Sequence, residues 1–191
     1  MEQIKNEVTK MTNKVCVSCT IVVKKLFVNF LKIVLNVKTL GKDKVINNYI
    51  TCYFVNDAEN MNQKLQMYDK LSVECHVEKV WHAKSEDYLQ RLVVDSYRIS
   101  NFGEDTGIDS NTFVIEGVVN NKYSPNENFV ILNVQNGSNV LNISVLGALT
   151  KRVNELDMQS HIRIKGTIQN HTGKNNKIFE SLVAHYIEPL E

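Results

Sequence analysis

Proline is almost missing from this chain of 191 residues, which has only Pro125 and Pro189. A proline removes a ladder hydrogen bond, so long stretches here are free to form uninterrupted strands. Glycine is scarce as well, at eight residues, and no glycine-rich phosphate loop, nucleophile elbow or paired-carboxylate signature appears. No apolar run reaches the ~18 residues that a membrane-spanning helix needs, so no membrane partner is expected. Tryptophan occurs once, at Trp81. The four cysteines are Cys16, Cys19, Cys52 and Cys75, without the paired spacing of a zinc site. They read as reduced, mostly buried thiols of a cytoplasmic protein, with Cys16 and Cys19 on opposite faces of one strand. The histidines His76, His82, His161, His171 and His185 show no metal-ligand spacing either. No metal, cofactor or catalytic role is therefore expected.

Neither sign of charge dominates: 22 Lys and Arg stand against 21 Asp and Glu. The halves differ, however. Residues 1–100 hold 15 basic and 11 acidic side chains, and residues 101–191 hold 7 and 10. If a polyanion binds, the first half is the better host.

What is present is a strand pattern written twice. Apolar residues alternate or run together through Val15–Ile21, Val73–Val77 and Val93–Tyr97, and again through Phe113–Val119, Ile164–Ile168 and Leu182–Tyr186. The spacing is similar: 56 and then 22 residues from Cys19 to Cys75 to Tyr97, and 49 and then 20 from Gly117 to Gly166 to Tyr186.

The first copy predicts strands over 14–23, 27–38 and 49–54, a helix over 58–68, and strands over 71–80 and 89–99. The second predicts strands over 112–119, 129–134 and 140–146, a helix over 148–156, and strands over 161–169 and 178–187. Asn136-Gly137 is a strong hairpin signal between two of these strands. This divides the chain into a flexible leader (1–13), a first domain (14–100), a linker (101–111) and a second domain (112–191). Strand-strand-strand-helix-strand-strand is the order of the OB-fold, so the expectation is an all-β chain with short helices and two tandem five-stranded barrels. Gly117 and Gly166, with Cys19 and Cys75 in the matching places, supply the small residues that strongly bent barrel strands require.

The stretch Tyr49-Ile50-Thr51-Cys52-Tyr53-Phe54-Val55-Asn56-Asp57-Ala58-Glu59-Asn60, followed by Lys70-Leu71-Ser72-Val73-Glu74-Cys75, resembles the bacterial single-stranded DNA-binding protein family. That family has an F-I-N-C-x-x-W-…-A-E-N segment and a K-G-S-x-x-x-x-E-G-x-L segment at these places. Asn13-Lys14-Val15-Cys16-Val17 is similar to its first strand. The resemblance implies single-stranded DNA as partner, a homodimer or higher homo-oligomer presenting four barrels, and no cofactor. It places the family's stacking tryptophan near Phe54 and a later aromatic near Trp81, each about one residue off. The family's acidic-tipped tail has no counterpart after His185-Tyr186-Ile187, so recruitment of enzymes through a tail is not expected. The divergence, with abundant Asn, Lys and Ile, fits a specialised protein of an A·T-rich phage or mobile element.

Binding single strands without reading sequence needs cations along the phosphates and rings under the bases. In the first copy the loop-borne candidates are Lys24, Lys25, Lys38, Lys42, Lys44, Lys79, Trp81, His82 and Lys84. Of the adjacent pair Tyr53 and Phe54 one must point inward; the family match favours Phe54 as the outward one. The second copy offers Tyr123, Lys165, Lys174 and Lys177. Coating of single strands in replication, recombination or DNA transfer is the function that follows. An RNA-binding barrel pair would look alike, and a protein-interaction adaptor that binds no nucleic acid fits the near-neutral charge.

Overall fold

Alternating apolar and polar side chains build ten strands and two short helices in the computed structural model, which describes residues 11–40, 44–83, 85–100, 109–172 and 178–190. The first five strands are β1 (Asn13–Leu26), β2 (Leu31–Leu40), β3 (Val45–Phe54), β4 (Lys70–His82) and β5 (Asp87–Ser100), with α1 (Ala58–Lys64) between β3 and β4. The second five are β6 (Ser110–Asn126), β7 (Phe129–Asn136), β8 (Asn139–Leu146), β9 (His161–Thr172) and β10 (Ile178–Pro189), with α2 (Leu149–Glu155) between β8 and β9.

Each set closes on itself. β1 pairs with both β2 and β4, β2 with β3, β3 with β5, and β5 with β4. The pairings β6–β7, β7–β8, β8–β10, β10–β9 and β9–β6 repeat the ring. Closure leaves only short free edges, on β3 and β8, where the closing pairing spans two residues. These are two OB-type barrels, as the strand order implied. Inward residues at every second position fill them: Ile21, Leu31, Ile33, Leu35, Ile50 and Leu71 in the first, Phe113, Ile115, Leu132, Leu141 and Ile143 in the second. Each fully buried branched or aromatic side chain contributes about 1.5–3 kcal/mol relative to exposure.

The registers align the two copies. Val15 lies opposite Cys75, and Phe113 lies opposite Gly166. β1 also pairs antiparallel with β6, and in that pairing Val15 faces Phe113. Matching residues therefore meet at the centre of the junction, the mark of a pseudo-two-fold axis. On either side of it one asparagine does the same work. Asn13 Nδ2 donates to the Val77 carbonyl (2.8 Å), and the Val77 N–H donates to Asn13 Oδ1 (2.9 Å). Asn111 Nδ2 donates to the Ile168 carbonyl (2.7 Å), and the Ile168 N–H donates to Asn111 Oδ1 (2.9 Å).

The helices are shorter than their apolar spacing suggests. α1 stops at Lys64, with Leu65 extended (φ −82, ψ 135) and Tyr68 at φ 71. Lys24 explains the stop. Its ammonium donates hydrogen bonds to the Asn62 (2.7 Å) and Leu65 (2.6 Å) carbonyls, satisfying groups that a helix end leaves orphaned. Lys122 closes α2 in the same way, reaching the Asn154 (3.1 Å) and Leu156 (2.6 Å) carbonyls.

The small residues are explained by contact across the barrel. A Cβ on Gly166 would stand 2.0 Å from the Val183 carbonyl oxygen and 2.7 Å from the Phe113 ring. One on Gly117 would stand 2.4 Å from the Gln135 carbonyl oxygen. Opposite Gly166 the ladder of β10 shifts between Ala184 and Tyr186, and opposite Cys75 that of β5 shifts at the matching place. Cys19, Cys52 and Cys75 are buried thiols, with the Cys52 and Cys75 sulfurs 4.0 Å apart, whereas Cys16 is half-exposed. The Cys75 hydrogen bond, followed by burial, raises the Cys52 thiol well above its ordinary range.

Glu116 ties the start of β1 to the second barrel. It accepts from the Thr12 N–H (3.1 Å) and from Arg163 Nε (2.7 Å). The Thr12 bonds first, then Arg163, hold its carboxyl below the ordinary value of 4.5. A depressed carboxylate stabilises the fold above its unfolded pKa, and that contribution fades as pH falls through the lower folded value. Glu116→Gln is thus expected to flatten the acid side of a melting-temperature profile below about pH 4.5; an acid limb identical to wild type would exclude the role. Gly166→Ala is expected to cost at least about 1–3 kcal/mol by overpacking, seen as a lower denaturant midpoint at unchanged slope.

Candidate nucleic-acid interface

Two groups of rings and cations occupy the outside of the first barrel. The first is a row. Lys25 Nζ lies 5.0 Å from the centre of the Phe27 ring, and Phe27 stacks on Phe30 at 4.6 Å. Phe30 meets Tyr53 edge-on at 5.6 Å, and the Arg91 guanidinium covers Tyr53 at 5.7 Å. Chain turns bring these together. β1 runs into β2 through the Phe27–Phe30 turn, closed by the Phe27 N–H donating to the Phe30 carbonyl (2.9 Å). The register of β2 and β3 then sets Lys32 opposite Tyr53. Arg91 is held by Glu78 at 2.5 Å. Burial and the charge of Glu180 raise the Tyr53 phenol, so it stays neutral at physiological pH.

The second group lies on the arm formed by the outer ends of β4 and β5. Trp81 meets Tyr88 edge-on at 5.2 Å, and Lys79 Nζ lies 6.0 Å from the Tyr88 ring centre. Both rings are open to solvent, Trp81 at 56% and Tyr88 at 55%. Neighbouring His82 bonds Ser85 across the turn (2.8 Å).

The geometry corrects one choice. Phe54 is 5% exposed and packs edge-on against Tyr97 inside the first barrel. Its neighbour Tyr53 is the outward ring, because successive strand residues point to opposite faces. The pattern around Cys52 and Phe54, both buried, carries this signal. Lys24 is drawn away from the row by α1. Lys38 and Lys44 are exposed on the β2–β3 hairpin, and Lys38 donates its backbone N–H to Asp109 (2.7 Å). Tyr123 is exposed. Lys165 lies mid-strand in β9 with Nζ 5.5 Å from the Tyr186 ring centre. Lys42, Lys84, Lys174 and Lys177 fall outside the described residues. Tyr53 takes the place expected of Phe54, and Phe27, Phe30 and Arg91 join the group without having been foreseen.

The barrels are unequal at matching positions. On β2 and β3 the outward residues Lys32, Val34, Asn36, Tyr49, Thr51 and Tyr53 correspond through the registers to Ile131, Asn133, Gln135, Val140, Asn142 and Ser144. The second barrel has lost both rings and the cation. Among the described residues no three His, Cys, Asp or Glu side chains converge as a metal site, and no helix is long and apolar enough to cross a membrane.

No protein-family model matches the chain, and no curated protein matches it by sequence. Among solved structures it is similar to the wild-type single-stranded DNA binding protein from Thermus aquaticus, with TM-score 0.75 and 15% identity over 95% of this chain and 94% of that one. A deletion mutant of that protein gives TM-score 0.73 and 16% identity over 95% and 96%. At such identities the likeness shows the fold alone, over nearly the whole length of both chains.

Adjacent rings with opposite fates make a direct check. Phe54→Ala is expected to cost about 3–5 kcal/mol in denaturant unfolding, as for a core aromatic. Tyr53→Ala is expected to cost under about 1.5 kcal/mol, and a reversed order would overturn the assignment of faces.

Proposed function

We infer that the chain binds single-stranded DNA without sequence preference. The observation that carries this reading is the row Lys25–Phe27–Phe30–Tyr53–Arg91 on the outside of an OB barrel. Rings offer faces to any base, at roughly 1–3 kcal/mol per base stacked, and Lys25 beside them engages phosphates. Trp81, Tyr88 and Lys79 offer a second stacking point. Lys32, Lys38 and Lys44 add charge along β2 and the hairpin tip. The near-neutral overall balance then matters little, because the cations and rings are local to the first barrel. The likeness to the Thermus aquaticus protein supports the same function.

The biological setting that fits is protection of exposed strands in replication, recombination or DNA transfer. The chain acts as a binding protein rather than a catalyst, as a homodimer or higher homo-oligomer, in a reducing cytoplasm that keeps Cys16, Cys19, Cys52 and Cys75 as thiols. An RNA-binding pair and an adaptor without nucleic acid are the alternatives.

Titration with labelled oligo(dT), oligo(rU) and duplex DNA at two salt concentrations separates these. Tight oligo(dT) binding that weakens with salt, with weaker oligo(rU) and duplex binding, is expected. Tyr53→Ala should weaken oligo(dT) binding about fivefold to a hundredfold, from the loss of one stacked base. No oligo(dT) binding by the wild-type chain would end this reading, and tighter oligo(rU) binding would favour the RNA alternative.

A further inference from the structure

The arm that bears Trp81 does not hang free; it is docked on the other barrel. Gln90 Nε2 donates to the Asn142 carbonyl (3.1 Å), and the Asn142 N–H donates to Gln90 Oε1. The Lys79 N–H donates to Asn139 Oδ1 (3.0 Å). Both contacts lie along β8 of the second barrel. The edge of β8 is paired with β10 only at Ile143 and Ser144, so the Asn142 backbone is satisfied by a side chain of the first barrel.

The two faces of the arm are turned to different barrels. In the β4–β5 register Lys79 is opposite Gln90 and Trp81 is opposite Tyr88. Strand residues two apart share a face, so Lys79, Trp81, Tyr88 and Gln90 lie together on the face that meets β8. Glu78 and Arg91 lie on the other face, where Arg91 covers Tyr53 of the first barrel. The stacking pair of the arm therefore belongs beside the second barrel.

The surface next to it is lined with amides. Asn133 Nδ2 donates to Asn142 Oδ1 (2.6 Å), Gln135 precedes the β7–β8 turn, and Ile131 and Val140 complete the outward residues. No outward position from Ile131 to Gln135 on β7, or from Val140 to Ser144 on β8, carries a charge. Amides donate and accept, bond base edges and phosphate oxygens alike, and do not repel a polyanion.

We propose that Lys79, Trp81 and Tyr88 of the first barrel and the amide surface around Asn133 and Asn142 of the second form one composite cleft, and that a single-stranded polynucleotide crosses from one barrel to the other through it. This rests on the function inferred above. The second barrel contributes through neutral hydrogen-bonding groups, not through a copy of the first barrel's aromatic row. The matching arm of the second barrel presents Asn170 and Glu180 to β3, at Tyr49 and Thr51, and Ile178 where the first has Tyr88. Among the described residues the composite cleft thus exists on one side of the pseudo-two-fold only.

The test places charge on the second barrel and reads the first. Asn142→Asp keeps the Asn133 hydrogen bond and the backbone bonds to Gln90 while adding a negative charge; Asn142→Lys adds a positive one. Trp81 is the only tryptophan, so its fluorescence in the full-length chain reports the cleft during titration with oligo(dT). Asn142→Asp is expected to weaken binding roughly threefold to tenfold, and Asn142→Lys to strengthen it and steepen the salt slope by about one phosphate. A gain of affinity in the lysine variant cannot come from misfolding. If oligo(dT) binds and quenches Trp81 while both Asn142 variants keep wild-type affinity and salt slope, the cleft is refuted and the function stands. If wild type does not bind oligo(dT), both fall together.

Discussion

The antiparallel pairing of β1 with β6 is the constraint on which the rest of this molecule depends. A barrel of five strands has little edge to offer, so two of them join through a ladder most readily where a strand runs past the partner that closes one of its sides, as β1 runs past β2. β1 and β6 both do so at their beginnings. Asn13 to Ser18 pair across the junction with Ile115 to Ser110; of these, Val15 to Ser18 also pair with β4 and Phe113 to Ile115 with β9 within their own barrels. Asn13 and Asn111 extend this shared ladder with side-chain amides that copy a peptide group, one donor and one acceptor each. Because Val15 faces Phe113 at the centre, whatever the junction does for one barrel it does for the other. The arms follow as a consequence. Once the axis is fixed, the β4–β5 arm lies against β8 and the β9–β10 arm against β3, and Gln90, Asn170 and Glu180 satisfy backbone groups there that neither barrel can pair for itself.

Within that frame the two copies have kept the groups that folding requires and diverged in the rest. Lys24 and Lys122 each close a helix. Asn13 and Asn111 each clamp a ladder. The inward positions remain apolar throughout. The outward positions of β2 and β3 carry no such obligation, and there the copies part: Tyr53 against Ser144, Tyr49 against Val140, Lys32 against Ile131. Core positions are bound by packing density, where a single added atom at Gly166 has nowhere to go. Surface positions can be spent on a ligand. The asymmetry in the rings is therefore the more informative signal, because nothing in the fold demands it.

The barrels were legible in the sequence because strand alternation and the order of elements reveal them, and duplication let each copy check the other. The helix ends were less so. The apolar spacing of Met61, Leu65 and Tyr68 continues past Lys64, but Lys24, far back in the chain, captures the carbonyls and ends the helix. Tyr53 and Phe54 show how little separates an inward ring from an outward one: a slip of one residue exchanges their faces. Buried Cys52 holds the phase that decides it. The row itself was hidden for a different reason. Lys25, Phe27 and Phe30 are neighbours in sequence, but Tyr53 and Arg91 reach them only through the β2–β3 and β3–β5 pairings. Docking of the arm on β8 leaves no trace in periodicity at all, since strand alternation speaks of faces and is silent about edges.

The balance of forces at the first barrel favours rings over charge. Arg91 is already engaged by Glu78 and Tyr53, and Lys24 by α1, so their full charges are not held in reserve for phosphates. On the proposed function, the free faces of the row and of Trp81 and Tyr88, at about 1–3 kcal/mol per stacked base, would carry more of the binding than the cations left over among the described residues. Stacking of this kind is indifferent to base identity and needs a strand whose bases are already unpaired, since a duplex keeps its base faces on one another. On the function proposed above, a surface led by aromatics with modest charge would select single strands by what it asks the ligand to expose, and the neutral amides of the second barrel would prolong the path without adding a polyelectrolyte attraction that admits duplex as readily.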